Sequence, residues 1–498
     1  MRLWIGLHLP LLPLETLRPR WCEPGMHAVL QRDSVMAATP DALAAGVRPG
    51  MRRGGALAIA PGVSLHERDV KREQDALQSV ALTLLQYTPH VVLDALDGEA
   101  GLLMEVGASL RLFGGPRALC RLACDSVMAL GFTPRIGMAP TARGAGLLAR
   151  ARSRNARHEG STIRALKISS LQRCLDALPF ELLPAAQAHA DLLSGIGCVT
   201  LGDLRRLPRA GLQRRCGKQV ASELDQAYGD AAELFEWIEA PSVFSKRLEL
   251  PDRIEHAEGL LFAVRRLLAE MTGWLVARHL AVSRFTLQLE HERGRSAVPP
   301  TMLEVALAEA AWREEHLLKL LKERLARLTL AAPAIALRLE AAQLSPLAPA
   351  SESLFPEPGG TPADYRRLLE LLTARLGEQA VMTPAPVADY RPEIRNAWQP
   401  ATQAQQRQAR PDTVESHAER PFWLLAEPVA LLVREHRPFY GSPLTLLSGP
   451  ERIECGWWDD AFAARDYYIG MDADGACYWV CRERFDLEER WFLHGLFA

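Results

Sequence analysis

The chain has 498 residues, of which 48% are hydrophobic and 24% are charged, and its formal net charge is −2. This length and composition predict about three or more ordinary globular domains, and the balanced charge excludes a protein that holds nucleic acid through its overall field. An uninterrupted apolar run of about 18 residues, which a membrane span needs, is not found in the sequence.

The first predicted element lies in the opening stretch MRLWIGLHLPLLPLE, an arginine followed by a long apolar run. A secretory signal needs an unbroken apolar stretch and a small-residue cleavage site. Here Pro10 and Pro13 interrupt the run, Glu15 ends it, and no such cleavage site follows. Because proline cannot donate to a sheet ladder, the pattern favours a buried strand over residues 3–7 that stops at Pro10.

Two domains are predicted in the first half of the chain. Residues 1–160 alternate short apolar strands with helical patterns, which predicts an α/β domain with helices packed on a sheet. Residues 161–239 are mainly helical in pattern. Within ADLLSGIGCVTLGDLRRLP we predict two helices joined by a Gly-Ile-Gly turn, with Thr200 and Asp203 forming a capping box.

The clearest pattern occupies residues 240–345. Two helices with a 3.6-residue period alternate with strands of two-residue period in the order βαββαβ. This order is the split-βαβ arrangement, an independent sheet with two helices on one face.

The remainder of the chain is more varied. Residues 346–362 have the Pro, Ser and Ala composition of a linker, and residues 363–420 predict a helix followed by a polar linker. Residues 421–498 predict a small β-rich module. We interpret its aromatic side chains chiefly as core, an interface being the alternative; they include Trp457, Trp458, Tyr467 and Tyr468.

The nine cysteines are scattered thinly, which is not typical of a disulfide framework and predicts a cytoplasmic protein. Two pairs with C-x3-C spacing, Cys120 with Cys124 and Cys477 with Cys481, lack nearby histidines at zinc-site intervals. We therefore predict core cysteines and no metal site.

The order of these domains resembles that of the Y-family DNA polymerases, and GFTPRIGMAPTARGAGLLARARS resembles the palm segment after their catalytic strand. GLLMEVGASLRLFGG and the terminal WFLHGLFA resemble more specifically the ImuB family of the bacterial ImuA–ImuB–ImuC mutagenesis cassette. The resemblance implies an α+β multidomain fold. It would comprise a palm and fingers in 1–160, a helical thumb in 161–239, a split-βαβ little finger in 240–345, a clamp-binding tail in 346–362 and a partner-binding β-rich module in 421–498.

The resemblance also indicates where catalytic carboxylates would lie. Phosphoryl transfer by a polymerase needs two divalent metals about 4 Å apart, held by acids. Active Y-family enzymes carry Asp-x-Asp after the first strand and Ser-x-Asp-Glu on a later strand pair. With Glu15 as anchor, these positions fall on Gly6 and His8, and on Ala100 and Gly101. None of these four is a hard oxygen ligand for magnesium, so we predict a non-catalytic protein without metal or cofactor.

An alternative alignment stays open. Asp94, Asp97 and Glu99 lie in LDALDGEAG, where a shift of one to three residues would bring one of them to the site. A single carboxylate would still leave the first strand without a ligand. We favour Asp97 and Glu99 as solvated turn residues over catalytic ones, and we interpret His8 as a satisfied polar residue rather than a transition-metal ligand.

Several residues are candidates for contacts to DNA. Arginines after the first domain's last helix can lie along phosphates, although a solvated helix end is an equal alternative. A Gly-x-Gly turn can present backbone N–H groups to a phosphate. Arginines on the strands of the little-finger-like sheet can contact a DNA backbone, weakly because acids nearly balance bases there. The candidates are Arg150, Arg152, Arg154, Gly195, Gly197, Arg247, Arg284 and Arg338.

A sliding-clamp ligand is predicted in SESLF, residues 351–355. Bacterial clamp ligands resemble Gln-Leu-Ser-Leu-Phe, and Leu354 with Phe355 in a Pro/Ser linker has no obvious core to join. The leading glutamine is replaced by Ser351, which predicts weaker binding; Ser353 precedes the anchors. Gln343-Leu344-Ser345 is a poorer alternative because it belongs to a strand.

The resemblance implies a scaffold in error-prone translesion synthesis and damage-induced mutagenesis within the SOS response. Its partners would be primer–template DNA, the sliding clamp, a RecA-related ImuA-like protein and an ImuC-like error-prone C-family polymerase. Two rivals remain: an active translesion polymerase with displaced carboxylates, and a DNA-binding regulator unconnected to the clamp.

Overall fold

The structure is a computed structural model that describes residues 2–94, 100–151, 162–292, 298–347, 362–401, 419–459, 461–484 and 490–497. The chain divides into two compact units, Met1–Gly360 and Thr361–Ala498. Some predicted site residues lie outside the described residues; these are Asp97, Glu99, Arg152, Arg154, Ser351, Ser353, Leu354 and Phe355. In the part of the chain that is described, no helix is both long and apolar enough to cross a membrane.

The palm-like domain begins the first unit. Its elements are β1 (Trp4–His8), α1 (Leu12–Glu15), β2 (His27–Gln31), β3 (Ser34–Ala38), α2 (Pro40–Ala44), α3 (Arg53–Ile59), β4 (Ser64–Glu67), α4 (Val70–Leu84), β5 (Val91–Leu93), β6 (Gly101–Glu105), α5 (Pro116–Ala129), β7 (Arg135–Ala139), α6 (Ala142–Arg150) and β8 (Thr162–Arg164). The strands form a five-stranded sheet in the order β5-β6-β1-β7-β8 and a smaller sheet in the order β3-β2-β4. The opening apolar run is thus a buried central strand, as its pattern predicts.

The central strand β1 divides two hydrophobic layers. Ile5 and Leu7 point into a core with residues of α4 and α5. On the other face, Trp4 joins residues of α6 and of the helical domain that follows. Alternation along the strand therefore packs one face against α4 and α5 and the other against α6.

The thumb-like domain consists of α7 (Ile168–Asp176), α8 (Pro184–Gln187), α9 (Ala190–Gly195), α10 (Leu201–Arg206) and α11 (Arg209–Tyr228). The predicted capping box is confirmed: the Thr200 hydroxyl accepts from the Asp203 N–H at 3.1 Å, and the Asp203 carboxylate accepts from the Thr200 N–H at 3.0 Å. Pro208 directly precedes α11, so the chain turns where proline is expected to end a helix.

The little-finger-like domain has the predicted βαββαβ order: β9 (Ser245–Ile254), α12 (Leu261–Ala277), β10 (Leu280–His291), β11 (Thr301–Ala311), α13 (Glu314–Ala326) and β12 (Ala334–Pro346). The sheet order is β11-β10-β12-β9. Phe285, Leu287 and Leu289 are buried, so their face of β10 is the core face, while the residues between them alternate to the open face.

The second unit contains α14 (Pro362–Leu376), β13 (Met382–Pro386), β14 (Asn396–Pro400), β15 (Trp423–Arg434), β16 (Arg437–Tyr440), β17 (Ser442–Pro443), β18 (Thr445–Cys455), β19 (Ala463–Met471), β20 (Cys477–Glu483) and β21 (Trp491–Leu496). Its main sheet has seven strands, in the order β17-β16-β15-β21-β20-β19-β18. The β13–β14 hairpin was not expected from the sequence. The predicted α+β class with a C-terminal β-rich module is confirmed.

The aromatic side chains of this module separate into two groups. Tyr467 is buried and stacks on Trp479 with ring centroids 4.0 Å apart, as expected of a core residue. Trp457 and Trp458 are 73% and 57% exposed, so their interpretation as core is wrong. Both follow β18 directly and lie at a turn, which takes them beyond the packed strands.

Candidate functional site

The predicted degenerate catalytic positions meet at one end of the five-stranded sheet. In the antiparallel register, His8 at the end of β1 pairs with Gly101 on β6 and with Arg135 on β7. Gly6 pairs with Leu103 and Gly137 on the same two strands. The alignment made from sequence therefore points to neighbouring positions in space.

Gly6 has no room for a side chain. A Cβ at Gly6 would lie 2.5 Å from the carbonyl carbon and oxygen of Ala145 in α6, and one at Gly137 would overlap the same oxygen. These two glycines let the backbone of α6 lie directly on the sheet. An aspartate at position 6 would have to displace the helix.

A buried ion pair occupies the cleft beside Gly101. Nη2 of Arg150, at the end of α6, donates to Oδ2 of Asp94 at 2.7 Å and to the Asp94 carbonyl at 3.3 Å. The two side chains are 4% and 13% exposed. A Cβ at Gly101 would lie 3.4 Å from this same Nη2 atom. A guanidinium thus lies in van der Waals contact with the point where a side chain at position 101 would begin.

His8 is buried and uncharged at neutral pH. Burial, together with the positive charges of Arg150 and Arg135, lowers the pKa of its imidazole to about 3. Its Nδ1 atom has no hydrogen-bond partner among the described residues. The interpretation of His8 as a satisfied polar residue is wrong for this nitrogen.

These residues do not fit a pair of divalent cations. Two positions are glycines, the histidine is flanked by two arginines, and the nearest described carboxylate, Asp94, is bound by Arg150. Hard cations such as Mg²⁺ require several oxygen ligands, and the positive charge of a nearby guanidinium repels the cation. Within the described ranges, no cluster of three or more His, Cys, Asp or Glu residues is arranged to hold a metal ion.

The beginning of α6 is held by the segment that follows α11 of the thumb-like domain. The Glu233 carboxylate accepts from the backbone N–H of Ala142 at 3.0 Å and from that of Arg143 at 3.0 Å. These are N–H groups that a helix leaves unsatisfied at its start. Burial raises the pKa of Glu233 to about 7, against the opposing effect of these hydrogen bonds and of Arg143.

The predicted Gly-x-Gly turn lies between α9 and α10. Gly197 has φ +83° and nothing lies within 4 Å of a Cβ placed there or at Gly195. Ile196 between them is 50% exposed. The turn is open on its outer side, but the backbone N–H groups of Ile196, Gly197 and Cys198 already donate to carbonyls of the preceding turn of chain.

A second glycine turn in the same domain escaped the sequence analysis. Gly217 has φ +80° and interrupts α11. Arg214, Arg215 and Lys218 beside it are exposed, and none forms an ion pair with another described residue. The signal lay in RRCGKQ, a glycine amid cations, but the surrounding helical period concealed it.

The predicted arginines of the little-finger-like sheet are already engaged. Arg247 donates to Glu290 at 2.9 Å and to Glu249 at 2.8 Å, and Arg284 donates to Glu304 at 2.6 Å. Arg338 lies 3.9 Å from Glu290. Cross-strand carboxylates neutralise this face. Hydrogen bonds from Arg247 to the two glutamates raise the pKa of its guanidinium.

Arg150 differs from the other predicted DNA contacts. The structure turns its guanidinium into the palm-like domain rather than toward solvent. That it contacts DNA stays a prediction, and its burial counts against it.

Comparison with known proteins supplies the family context. Residues 21–150 match the model of the impB/mucB/samB family, IMS. Protein ImuB of Caulobacter vibrioides strain NA1000 / CB15N is 26% identical over 480 residues, covering 91% of this chain and all of that protein. The ImuB of strain ATCC 19089 / CIP 103742 / CB 15 gives the same values. This chain is ImuB-like.

Solved structures give a looser likeness. A ternary complex of Dbh with partially disordered substrates is 17% identical, with a TM-score of 0.38, and covers 68% of this chain and 98% of that one. An insertion ternary complex of Dbh DNA polymerase is 16% identical, with the same TM-score and coverage. The resemblance to ImuB drawn from GLLMEV and the terminal WFLHGLFA is confirmed by the relatives, and the ImuB-like chain is Y-family-like in its first part.

Proposed function

We propose that this ImuB-like chain is a non-catalytic, cytoplasmic, Y-family polymerase-like scaffold in error-prone translesion synthesis. It holds primer–template DNA, binds the sliding clamp and recruits an error-prone C-family polymerase. The observation that carries the proposal is the buried Arg150–Asp94 pair at the sheet end, beside Gly101 and His8.

The argument for inactivity is electrostatic. Polymerase chemistry concentrates positive metal charge at the end of the first palm strand, where it activates the 3′-oxygen and bridges the triphosphate. Here a fixed guanidinium and a histidine with a pKa of about 3 occupy that end. A divalent cation would be repelled by Arg150, and Asp94 could bind it only by giving up its ion pair with the buried arginine.

The argument for DNA binding rests on the thumb-like domain. Its two glycine turns, at Gly197 and Gly217, are open, and the exposed Arg214, Arg215 and Lys218 flank the second. Exposed cations without an ion-pair partner among the described residues are groups that bind phosphates without reading sequence. These exposed cations support binding of the thumb-like domain to the DNA backbone.

Clamp and partner binding are proposed on different grounds. Leu354 and Phe355 would enter the apolar cleft of a clamp, with Ser351 and Ser353 preceding them. In the second unit, β15 exposes several apolar side chains, which supports a protein-binding surface for the ImuA-like and ImuC-like partners. These side chains are Trp423, Leu424, Val429, Leu432 and Val433.

The test of catalysis is primer extension by the purified chain with four nucleotides and Mg²⁺ or Mn²⁺, beside an active Y-family polymerase. We expect no extension, with primer–template still shifted in a gel. Extension that disappears in Asp97→Ala with Glu99→Ala would instead establish an active polymerase with displaced carboxylates.

The test of clamp binding compares the chain with its Leu354→Ala, Phe355→Ala variant by surface plasmon resonance on an immobilised clamp. We expect at least a tenfold loss of affinity. A Gln343→Ala variant serves as matched control and should bind as the parent does. Equal affinity of all three chains would favour a DNA-binding regulator unconnected to the clamp.

A further inference from the structure

The helix α12 of the little-finger-like domain is buried on two sides. Leu268, Trp274 and Leu275 are fully buried, as expected of a helix that covers its own sheet. Ala269 belongs instead to the palm-like core that contains Ile5 and α4. An amphipathic helix of an independent domain has a solvent face, whereas α12 is apolar nearly all round.

The closest contact is between two backbones. A Cβ at Gly273 would overlap the carbonyl oxygen of Leu82 in α4 and would lie 2.8 Å from the Thr83 Cα. The two helices therefore cross with no side chain between them at this point. Such a crossing leaves no space for water or for sliding.

Polar contacts lie at the same boundary between α12 and the palm-like domain. The Arg266 guanidinium lies 5.0 Å from the ring centroid of Phe132, and its Nε is 3.6 Å from Oε1 of Glu270 on the next turn. Both charged side chains are less than a tenth exposed. Separating the domains would break the contact of Arg266 with Phe132, whereas the ion pair with Glu270 lies within α12 and would stay.

Two more ion pairs link the palm-like and little-finger-like domains at the edge of this contact. Nη1 of Arg18 lies 2.7 Å from Oδ2 of Asp252, and Nη2 of Arg72 lies 2.6 Å from Oε2 of Glu249. Both carboxylates belong to β9. Rim pairs of this kind add little stability, but they fix orientation around the apolar centre.

We propose that α12 locks the palm-like and little-finger-like domains into one rigid body, so that the little-finger-like domain keeps its place when the chain binds DNA. That the chain binds DNA rests on the proposed function. Domains joined by small polar interfaces move by default, whereas a dry crossing of two backbones removes that freedom.

The lock is tested without DNA by native-state hydrogen exchange of the full chain in rising denaturant. Amides of α4 and of α12 should open with the same free energy and the same denaturant dependence, because one body opens as one unit. An α12 that exchanges through an opening at least tenfold more frequent than that of α4 would overturn the lock.

Glycine substitutions separate packing from helix propensity. Gly273→Ala should increase the opening of α12 at least tenfold, because its Cβ meets α4. Gly211→Ala in α11, where nothing lies within 4 Å, should leave exchange unchanged or slower. Equal behaviour of the two variants would contradict the lock, and the parent chain alone decides the question if Gly273→Ala fails to fold.

Saturating primer–template is then added to the parent chain. The protection of α4 and α12 amides from exchange should change by less than twofold. A loss of this protection would mean that the little-finger-like domain moves away from the palm-like domain when DNA binds. Should no primer–template bind, the proposed function fails, while the result obtained without DNA still decides the lock.

Discussion

The end of the palm-like sheet and the turns of the thumb-like domain treat charge in opposite ways. At the sheet end, Arg150 is buried against Asp94. In the thumb-like domain, Arg214, Arg215 and Lys218 are exposed beside Gly217, without ion-pair partners in the part of the chain that is described. The first region pairs its charges internally, whereas the second leaves its cations exposed to solvent.

Under the proposed function, this difference teaches how a fold built around a reaction can be kept for binding. A metal site depends on a few acids at fixed places, so replacing them with glycine and an internal ion pair removes it while the sheet remains. A phosphate-binding surface depends only on exposed N–H groups and cations. Several experiments can break or sharpen this contrast, and the largest effect is expected at the sheet end.

Arg150→Met should lower the opening free energy of β1 amides by about 3–5 kcal/mol, because Asp94 would stay buried without its partner. Hydrogen exchange of β1 measures this. Adding Asp94→Leu should recover at least half of the loss, since no charge is then left unpaired. A loss below about 1 kcal/mol would mean that the pair is not structural.

Replacing Arg214, Arg215 and Lys218 together by alanine should weaken primer–template binding about 10- to 100-fold near 0.1 M salt, because the surface loses its phosphate contacts. The slope of log K against log salt should fall by about 2 to 3. Fluorescence anisotropy measures both quantities.

The matched control for this thumb-like variant changes Arg247, Arg284 and Arg338 to alanine. These arginines are already neutralised by carboxylates, so a loss of less than about threefold is expected. A larger loss of primer–template affinity in this control than in the thumb-like variant would place DNA binding on the little-finger-like sheet instead.

Glu233→Gln should change how stability depends on pH. The folded-state pKa of about 7 is above that of an exposed glutamate, so the folded chain binds the proton more tightly than the unfolded chain does. The stabilisation is complete below about pH 4.5 and is lost as pH rises through about 7.

Between pH 5.5 and 8, the parent should therefore lose about 1–2 kcal/mol more than Glu233→Gln in the opening of α6 amides. The difference between the two chains cancels the titration of the buried histidines, which both share. Parallel pH profiles would show that Glu233 does not carry the effect.

The smallest effect is expected on the little-finger-like sheet. Glu290→Gln should release Arg247 and Arg338 and raise primer–template affinity about two- to threefold, because one negative charge leaves the face. Glu315→Gln on α13 makes the same change of charge elsewhere in the domain and should have less effect. Identical gains would indicate a general charge effect rather than release of these arginines.

Much of the fold could be predicted because apolar residues recur at the two-residue spacing of strands and the 3.6-residue spacing of helices. The alternation of Phe285, Leu287 and Leu289 and the helical spacing around Leu317 and Leu321 gave the βαββαβ order of the third domain. The Thr200-x-x-Asp203 spacing gave a capping box. Each of these signals acts over one turn or one strand.

The site was less accessible, because its decisive contacts are long-range. Arg150 and Asp94 are 56 residues apart, and the sequence indicates a phosphate contact for Arg150 without indicating that Asp94 is its partner. The residues around Arg150 do not indicate Asp94 as a partner, and the residues around Asp94 do not indicate Arg150. The neutralised state of Arg247 likewise depends on cross-strand register, which no single strand specifies.

The close contact of α6 with Gly6 and Gly137 has an evolutionary consequence. An aspartate restored at position 6 would displace the helix before any metal could bind, and a carboxylate restored at position 101 would meet Arg150 already paired. Each step toward a metal site therefore costs stability and returns nothing until several others are in place. For the non-catalytic scaffold that we propose, this packing makes the return of a metal site by single substitutions unfavourable.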